Sequence, residues 1–327
     1  MNKICNKPFS KIEISLDGDV FTCCPAYVNR QKIGNIWNKK TKSDKDIWHS
    51  KEAIEIRKHL LKNDYSICNL DICREKHLVE KNKNHLLKPP LPEYIMLAYD
   101  RECNIQCITC RDKKIKNTLE QNEFYKKQAD KVLIPLLKNA KYITISGSGE
   151  AFYSKHSRFL IKEVTKKNKT AKFSIITNGL LFNENNCKCL GLENRIENVC
   201  FSIHALNKEL YNKIMIGSNL EVVLKNLKWA AQEQKNKSIK WVSINCVVTN
   251  MNYKEIPKLI NLAKELNIFV SFSVYHHWGT KLDKDYENLS IWKETHIENK
   301  NLKEILAIAK DIKYCKCEMA PVLAQLM

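Results

Sequence analysis

Tyr99-Asp100-Arg101-Glu102-Cys103-Asn104-Ile105-Gln106-Cys107-Ile108-Thr109-Cys110-Arg111 is the stretch on which the reading of this chain turns. Just before it, Tyr94-Ile95-Met96-Leu97-Ala98-Tyr99 reads as a short buried strand, so Cys103, Cys107 and Cys110 fall on the loop at its carboxyl end. In α/β sheets and barrels this is the edge where sites are built. Three thiols within eight residues can converge on one iron–sulfur cube and leave its fourth iron without a protein ligand. The competing readings are a set of buried free thiols and a zinc site, which would want a second half-site to complete its tetrahedron.

Working outward, strand and helix patterns alternate after this loop. Strands are expected near 94–99, 141–146, 172–177, 198–203, 240–249 and 268–274, and helices near 118–139, 155–167, 183–192, 219–234 and 254–266. Six β/α units with right-handed crossovers make an α/β fold, a partial (β/α)6 barrel of the TIM type. The barrel is assigned to residues 89–280 and a helical extension, with a short helix near 301–312, to 281–327. Upstream, Lys88-Pro89-Pro90-Leu91-Pro92 reads as a stiff linker.

Residues 1–88 form a small cysteine-rich α+β module. Lys11-Ile12-Glu13-Ile14-Ser15-Leu16 alternates as a strand, Asp17-Gly18-Asp19 turns it, and Val20-Phe21-Thr22-Cys23-Cys24 returns. The hairpin brings Cys5 and Cys23 toward one end. An amphipathic helix from about Ile47 to Leu61 then delivers Cys68 and Cys73, so four cysteines in two pairs separated by a helix have the arrangement a closed metal site needs.

Further motifs fall at strand tips. Gly147-Ser148-Gly149-Glu150-Ala151 follows the second strand, where glycines admit a ligand close to backbone and a carboxylate can accept from a cationic amine. Asn178 and Gly179 end the third strand and read equally as a structural turn and as ligand contacts. The fourth gives Ser202 and His204, and the fifth Asn245. His204 reads first as a satisfied core histidine and second as a proton donor near substrate. Tyr275-His276-His277-Trp278 would line the mouth of a site at the sixth tip; Cys187 and Cys189 read as free surface thiols, and Cys315 and Cys317 read first as free surface thiols and second as ligands of a cluster.

Composition narrows the function. No run reaches the eighteen or so apolar residues of a membrane span, and the amino terminus lacks a signal core, so a cytoplasmic, reducing location is expected. There, fourteen cysteines speak for metal or redox chemistry over disulfides. The formal charge of +19 is carried mostly by lysine, with only seven arginines. It reads first as solvated surface and second as attraction for an anionic substrate or partner. Nucleic acid is disfavoured, since arginine is the usual reader of phosphate and base.

The C-x3-C-x2-C spacing resembles the signature of the radical SAM superfamily. That resemblance implies a [4Fe-4S] cluster on Cys103, Cys107 and Cys110 whose open iron chelates S-adenosylmethionine. It also implies that the Gly147-x-Gly149-Glu150 loop takes the place of a Gly-Gly-Glu-Pro motif holding the SAM amino group, with Ala151 for the usual Pro. Asn178, Ser202 and Asn245 become candidate SAM contacts, while Lys213-Ile214-Met215 lies where many relatives have an arginine for the SAM carboxylate. Cys5, Gly18-x4-Cys23 and the later cysteines resemble the SPASM module, which implies an auxiliary [4Fe-4S] cluster on Cys5, Cys23 or Cys24, Cys68 and Cys73, with a four-cysteine zinc knuckle as the competing reading. The activity implied is reductive cleavage of SAM to a 5′-deoxyadenosyl radical that abstracts hydrogen from a substrate, with flavodoxin or ferredoxin as reductant. The substrate could be a small molecule, a sugar or a peptide, and a peptide or protein side-chain maturase is the alternative substrate class. A non-catalytic iron–sulfur or zinc protein for electron transfer or binding is the alternative of a different kind.

Overall fold

The computed structural model describes residues 3–25, 31–38, 41, 43–70, 73, 78–145, 148–276, 283–309 and 315–317. They form an α/β protein of two compact units. The first comprises Met1–Glu102, Asn117–Ser174 and Leu190–Arg195; the second comprises Cys103–Lys116, Ile175–Cys189 and Ile196–Met327.

In the first unit the expected hairpin is present, with Lys11–Ile14 antiparallel to Asp19–Phe21 in the register Glu13↔Phe21. Its turn depends on left-handed backbone at Asp17 and Gly18 (φ 64° and 77°), and a Cβ on Gly18 would meet the Trp37 ring at 2.4 Å. The outer edge of the hairpin goes further than the sequence pattern indicates. Lys11–Ile14 also pairs, in parallel, with Tyr94–Leu97, which pairs in parallel with Tyr142–Ile145. The cysteine-rich region and the start of the β/α series therefore share one sheet. Ile12, Ile14, Ile95, Leu97, Ile143 and Ile145 bury one face of it, and this alternation is what fixes the register.

The proline segment is tied down rather than spanning solvent as a linker. Trp48 Nε1 donates to Pro90 O at 2.8 Å, and Arg57 Nη1 reaches Leu87 O at 3.1 Å. Arg57 is fully buried. It also donates to Pro8 O and Trp48 O, both at 2.9 Å, and lies 4.1 Å over the Trp48 ring. Burial lowers its pKa to about 10, still cationic at neutral pH. Arg57→Ala would leave three carbonyls without their donor, those of Pro8 and Trp48 in buried contacts, and we expect it to cost about 3 kcal/mol or more in urea unfolding.

The helix expected from Ile47 to Leu61 is two, Asp44–Trp48 and Lys51–Leu61, because Ser43 and Ser50 each cap a new start. The helix near 118–139 runs as Leu119–Gln128, a π-turn over Ala129–Leu133, and Ile134–Leu137. Pro135, which lacks an amide hydrogen, lies two residues after that turn.

In the second unit Ile196–Ser202, Ile239–Val248, Phe269–Val274 and Cys315–Cys317 are parallel neighbours in that order. Val199, Phe201, Val242, Ile244, Val270 and Phe272 bury one face completely. The partly exposed face carries small and polar residues instead: Cys200, Ser202, Ser243, Asn245, Ser271 and Ser273. Cys187, expected at the surface, is buried at 4% because it sits three residues before Leu190 on the inward side of Glu184–Leu190; Cys189 is exposed. Among the described residues no helix is long and apolar enough to cross a membrane.

Candidate functional site

Two sets of bonds hold the thiol loop. On its amino-terminal side, in the first unit, Glu102 is 2% exposed. Its carboxylate accepts from Asn117 N–H at 3.2 Å and from Lys155 N–H at 3.1 Å, while its carbonyl accepts from Glu150 N–H at 2.8 Å. Asp100 accepts from the Ser154 and Ser157 hydroxyls at 2.5 and 2.6 Å, at the start of helix Lys155–Lys167. Tyr99 meets His156 Nε2 at 2.7 Å. Burial, opposed by Asp100, lowers the His156 pKa to about 4, so the ring is neutral and accepts from the phenol. The strand end, the Glu150 loop and this helix start thus form one knot immediately before Cys103.

On its other side, in the second unit, the loop is clamped by a ribbon absent from the sequence expectations. Gln106–Cys107 pairs antiparallel with Met215–Ile216, directly after helix Lys208–Ile214, and Ile108 N–H donates to Ile214 O. The signal was the apolar run Ile214-Met215-Ile216 stopped by Gly217, whose φ is +86°. Tyr211 lies near Cys107, and Tyr275, only 2% exposed, is near Cys110 and Asp112. Tyr275 is therefore buried within electrostatic reach of the loop; His276 is exposed, and His277 and Trp278 lie outside the described residues.

Nitrogen donors point at the sulfurs. Arg111, 6% exposed, reaches Cys110 Sγ with Nε at 3.4 Å and Nη2 at 3.3 Å. Asn178 Nδ2 lies 3.9 Å from Cys103 Sγ and 2.8 Å from Asn104 Oδ1. Such N–H···S contacts are what thiolate ligands of an iron–sulfur cluster use. Among the described residues no three His, Cys, Asp or Glu side chains converge on one metal ion. A cubane takes one thiolate per iron and needs its cysteines around it, not meeting at a point. The residues present fit the cluster.

Glu150 is 1% exposed and Gly149 packs against backbone, while Gly147 lies outside the described residues. Asn178 and Gly179 form a turn, with φ +81° at Gly179, that also touches the thiol loop. Ser202 and Asn245 are register partners on the partly exposed sheet face, where Asn245 bonds Ser271 and Ser273. His204 is 4% exposed, accepts from Val247 N–H at Nδ1, and is held neutral by burial at a pKa of about 4.

At the cysteine-rich end of the first unit, Cys5 and Lys11 act electrostatically on Cys23, and Tyr65 stands near both Cys5 and Cys68. Burial raises the Cys23 pKa to about 11, whereas Cys24 is half-buried. Cys73 N–H bonds Asn69 O.

An α/β protein with three thiols on the loop after a strand and a second group of cysteines in its amino-terminal region is the class that these observations define. The family described as the Radical SAM superfamily matches residues 100–263, and an iron–sulfur cluster-binding domain, SPASM, matches residues 5–74. The chain belongs to the radical SAM superfamily, and its α/β fold is of that family's partial-barrel type. Membership brings a [4Fe-4S] cluster and S-adenosylmethionine as cofactors, and the SPASM match brings auxiliary iron–sulfur binding.

The chain is 26% identical over 204 residues to a probable GTP 3′,8-cyclase of Methanocaldococcus jannaschii, covering 60% of this chain and 63% of that protein. Among solved structures it is similar to coproporphyrinogen III oxidase (HemN) from Escherichia coli, with 14% identity, a TM-score of 0.44, and 71% of this chain and 52% of that one covered. It is also similar to native anSMEcpe with bound AdoMet, with 20% identity, a TM-score of 0.40, and 66% and 60% covered. The chain spans less than two thirds of the length of each of these three.

Proposed function

We propose that this protein is a radical SAM enzyme in which Cys103, Cys107 and Cys110 ligate the SAM-binding [4Fe-4S] cluster. Cys5, Cys23 or Cys24, Cys68 and Cys73 ligate an auxiliary one. The observation that carries the reading is the loop itself: its three thiols follow a strand end and are fixed from both sides by backbone pairing. When bound and reduced, such a cluster supplies the electron that splits SAM into methionine and a 5′-deoxyadenosyl radical, which takes hydrogen from the substrate.

The chain's own residues position and shield. Glu150, buried and bonded through its N–H to the carbonyl of Glu102, the residue before Cys103, is the carboxylate that accepts from the SAM ammonium in this reading. Asn178 fixes Asn104 and the Cys103 sulfur, while Ser202 and Asn245 offer neutral hydrogen-bonding groups. His204, neutral and already accepting at Nδ1, serves to join two strand ends rather than to move a proton. Reducing equivalents would come from a flavodoxin or ferredoxin in the cytoplasm.

The test is anaerobic reconstitution followed by iron and sulfide counts and addition of dithionite with SAM. About eight irons per chain and formation of 5′-deoxyadenosine are expected. Stoichiometric zinc, or reduced clusters without SAM cleavage, would instead leave an electron-transfer or binding protein.

A further inference from the structure

Arg111 directly follows the third thiol of the loop, in a chain whose cations are mostly lysine. It is buried, and both N–H groups on one edge of its guanidinium converge on a single sulfur, Nε at 3.4 Å and Nη2 at 3.3 Å from Cys110 Sγ. A planar fork can do this, whereas a lysine would bring one compact, strongly hydrated ammonium. Cys103 meets a neutral donor instead, the Asn178 amide at 3.9 Å. The neighbouring Asp112 carries the opposite charge but is exposed, where water screens it. The loop backbone does not depend on the guanidinium: Arg111 N–H closes a turn onto Cys107 O at 3.0 Å, a bond that any residue but proline keeps.

The potential of an iron–sulfur cluster is set by its net charge, by hydrogen bonds to its sulfurs and by its exposure to solvent. Reduction adds one electron and no proton, so the added charge spreads over the irons and the ligand sulfurs. A donor on a ligand sulfur therefore stabilises the reduced form more than the oxidised one. A charged donor does so about twice as strongly as a neutral one. Arg111 is also withdrawn from water, where its charge acts through a medium of low dielectric constant and is little screened.

We propose that Arg111 is a positioning residue for the electron: through its two N–H contacts to Cys110 Sγ, its charge raises the reduction potential of the SAM-binding cluster. The electron that SAM cleavage consumes then passes more readily from the reduced flavodoxin or ferredoxin to the oxidised cluster. This deepens the enzyme reading above and rests on it.

The experiment poises reconstituted protein at a series of potentials and follows the reduced-cluster EPR signal, the SAM-binding cluster being the one whose signal changes when SAM is added. At the potential where this cluster is half reduced in the wild type, Arg111→Gln should lower its ratio of reduced to oxidised form about tenfold or more, a midpoint about 59 mV lower for a one-electron couple. Arg111→Met, which removes the charge without leaving a polar group in its place, makes the same prediction should Arg111→Gln fail to fold. Arg111→Lys, which keeps the charge, should lower the ratio about threefold or less. An unmoved midpoint in the neutral variants, or Arg111→Lys falling as far as they do, would overturn the assignment. Loss of this cluster's iron from both neutral variants would also overturn it, in favour of a role in holding the cluster. A wild-type protein with no SAM-responsive cluster would defeat the enzyme reading and this assignment with it, whereas a SAM-responsive cluster indifferent to residue 111 would defeat this assignment alone.

Discussion

Protein in which Cys103, Cys107 and Cys110 are all replaced by alanine should hold about four irons per chain in place of about eight, and should form no 5′-deoxyadenosine. The backbone bonds that shape the loop do not use the thiols. Cys103 N–H donates to Ile115 O, Cys107 pairs with Met215, and Cys110 N–H closes a turn onto Cys107 O. Alanine supports all of these, so the loss should be confined to one cluster and the thermal melt of the remaining protein should stay cooperative. Replacing Cys5, Cys68 and Cys73 should remove the other four irons and leave a reduced-cluster EPR signal that still responds to SAM. Iron retained in full by the first variant would mean that those thiols are not ligands; iron lost in full would mean that the two groups do not load independently.

The local parts of this site are legible in the sequence because they are contiguous. The thiol spacing, the strand before it, the glycine–glutamate loop and the Asp17-Gly18 turn each lie within a few residues, where period-2 alternation and turn chemistry act. The partners of those parts are not legible. Met215 and Cys107 are more than a hundred residues apart, and nothing periodic in either marks an edge-to-edge ribbon. Lys11–Ile14 reads correctly as half of a hairpin, yet its second edge, on Tyr94–Leu97, is set by which buried isoleucines align across the gap. Arg57 looks like one more charge on an amphipathic helix until its carbonyl partners from Pro8, Trp48 and Leu87 are assembled around it. Glu102 hides for the same reason: its acceptors serve amides at Asn117 and Lys155.

That knot at Glu102 makes Gly149→Ala the second change with a large expected effect. A Cβ at Gly149 would stand 2.6 Å from Asp100 O, 2.6 Å from Glu102 O and 2.9 Å from the Arg101 carbonyl carbon. All three are backbone atoms, so no rotamer change relieves the clash. They also belong to the three residues before Cys103. The glycine–glutamate loop must then lift off the strand end, stretching the 2.8 Å bond from Glu150 N–H to Glu102 O. Overpacking of this kind costs about 2 kcal/mol, which urea unfolding should read. The functional loss should be larger than the stability loss, because Glu150 moves with the loop: SAM affinity, measured calorimetrically on reconstituted protein, should fall about tenfold or more. Gly191→Ala is the control that separates the two. Gly191 is strained by its positive φ of 68° and meets the Thr165 side chain at 3.0 Å, so it too should destabilise. Glu150 and the thiol loop are not among its neighbours. A Gly149→Ala protein that loses stability as Gly191→Ala does but still binds SAM with wild-type affinity would show that the loop carries no part of the SAM site.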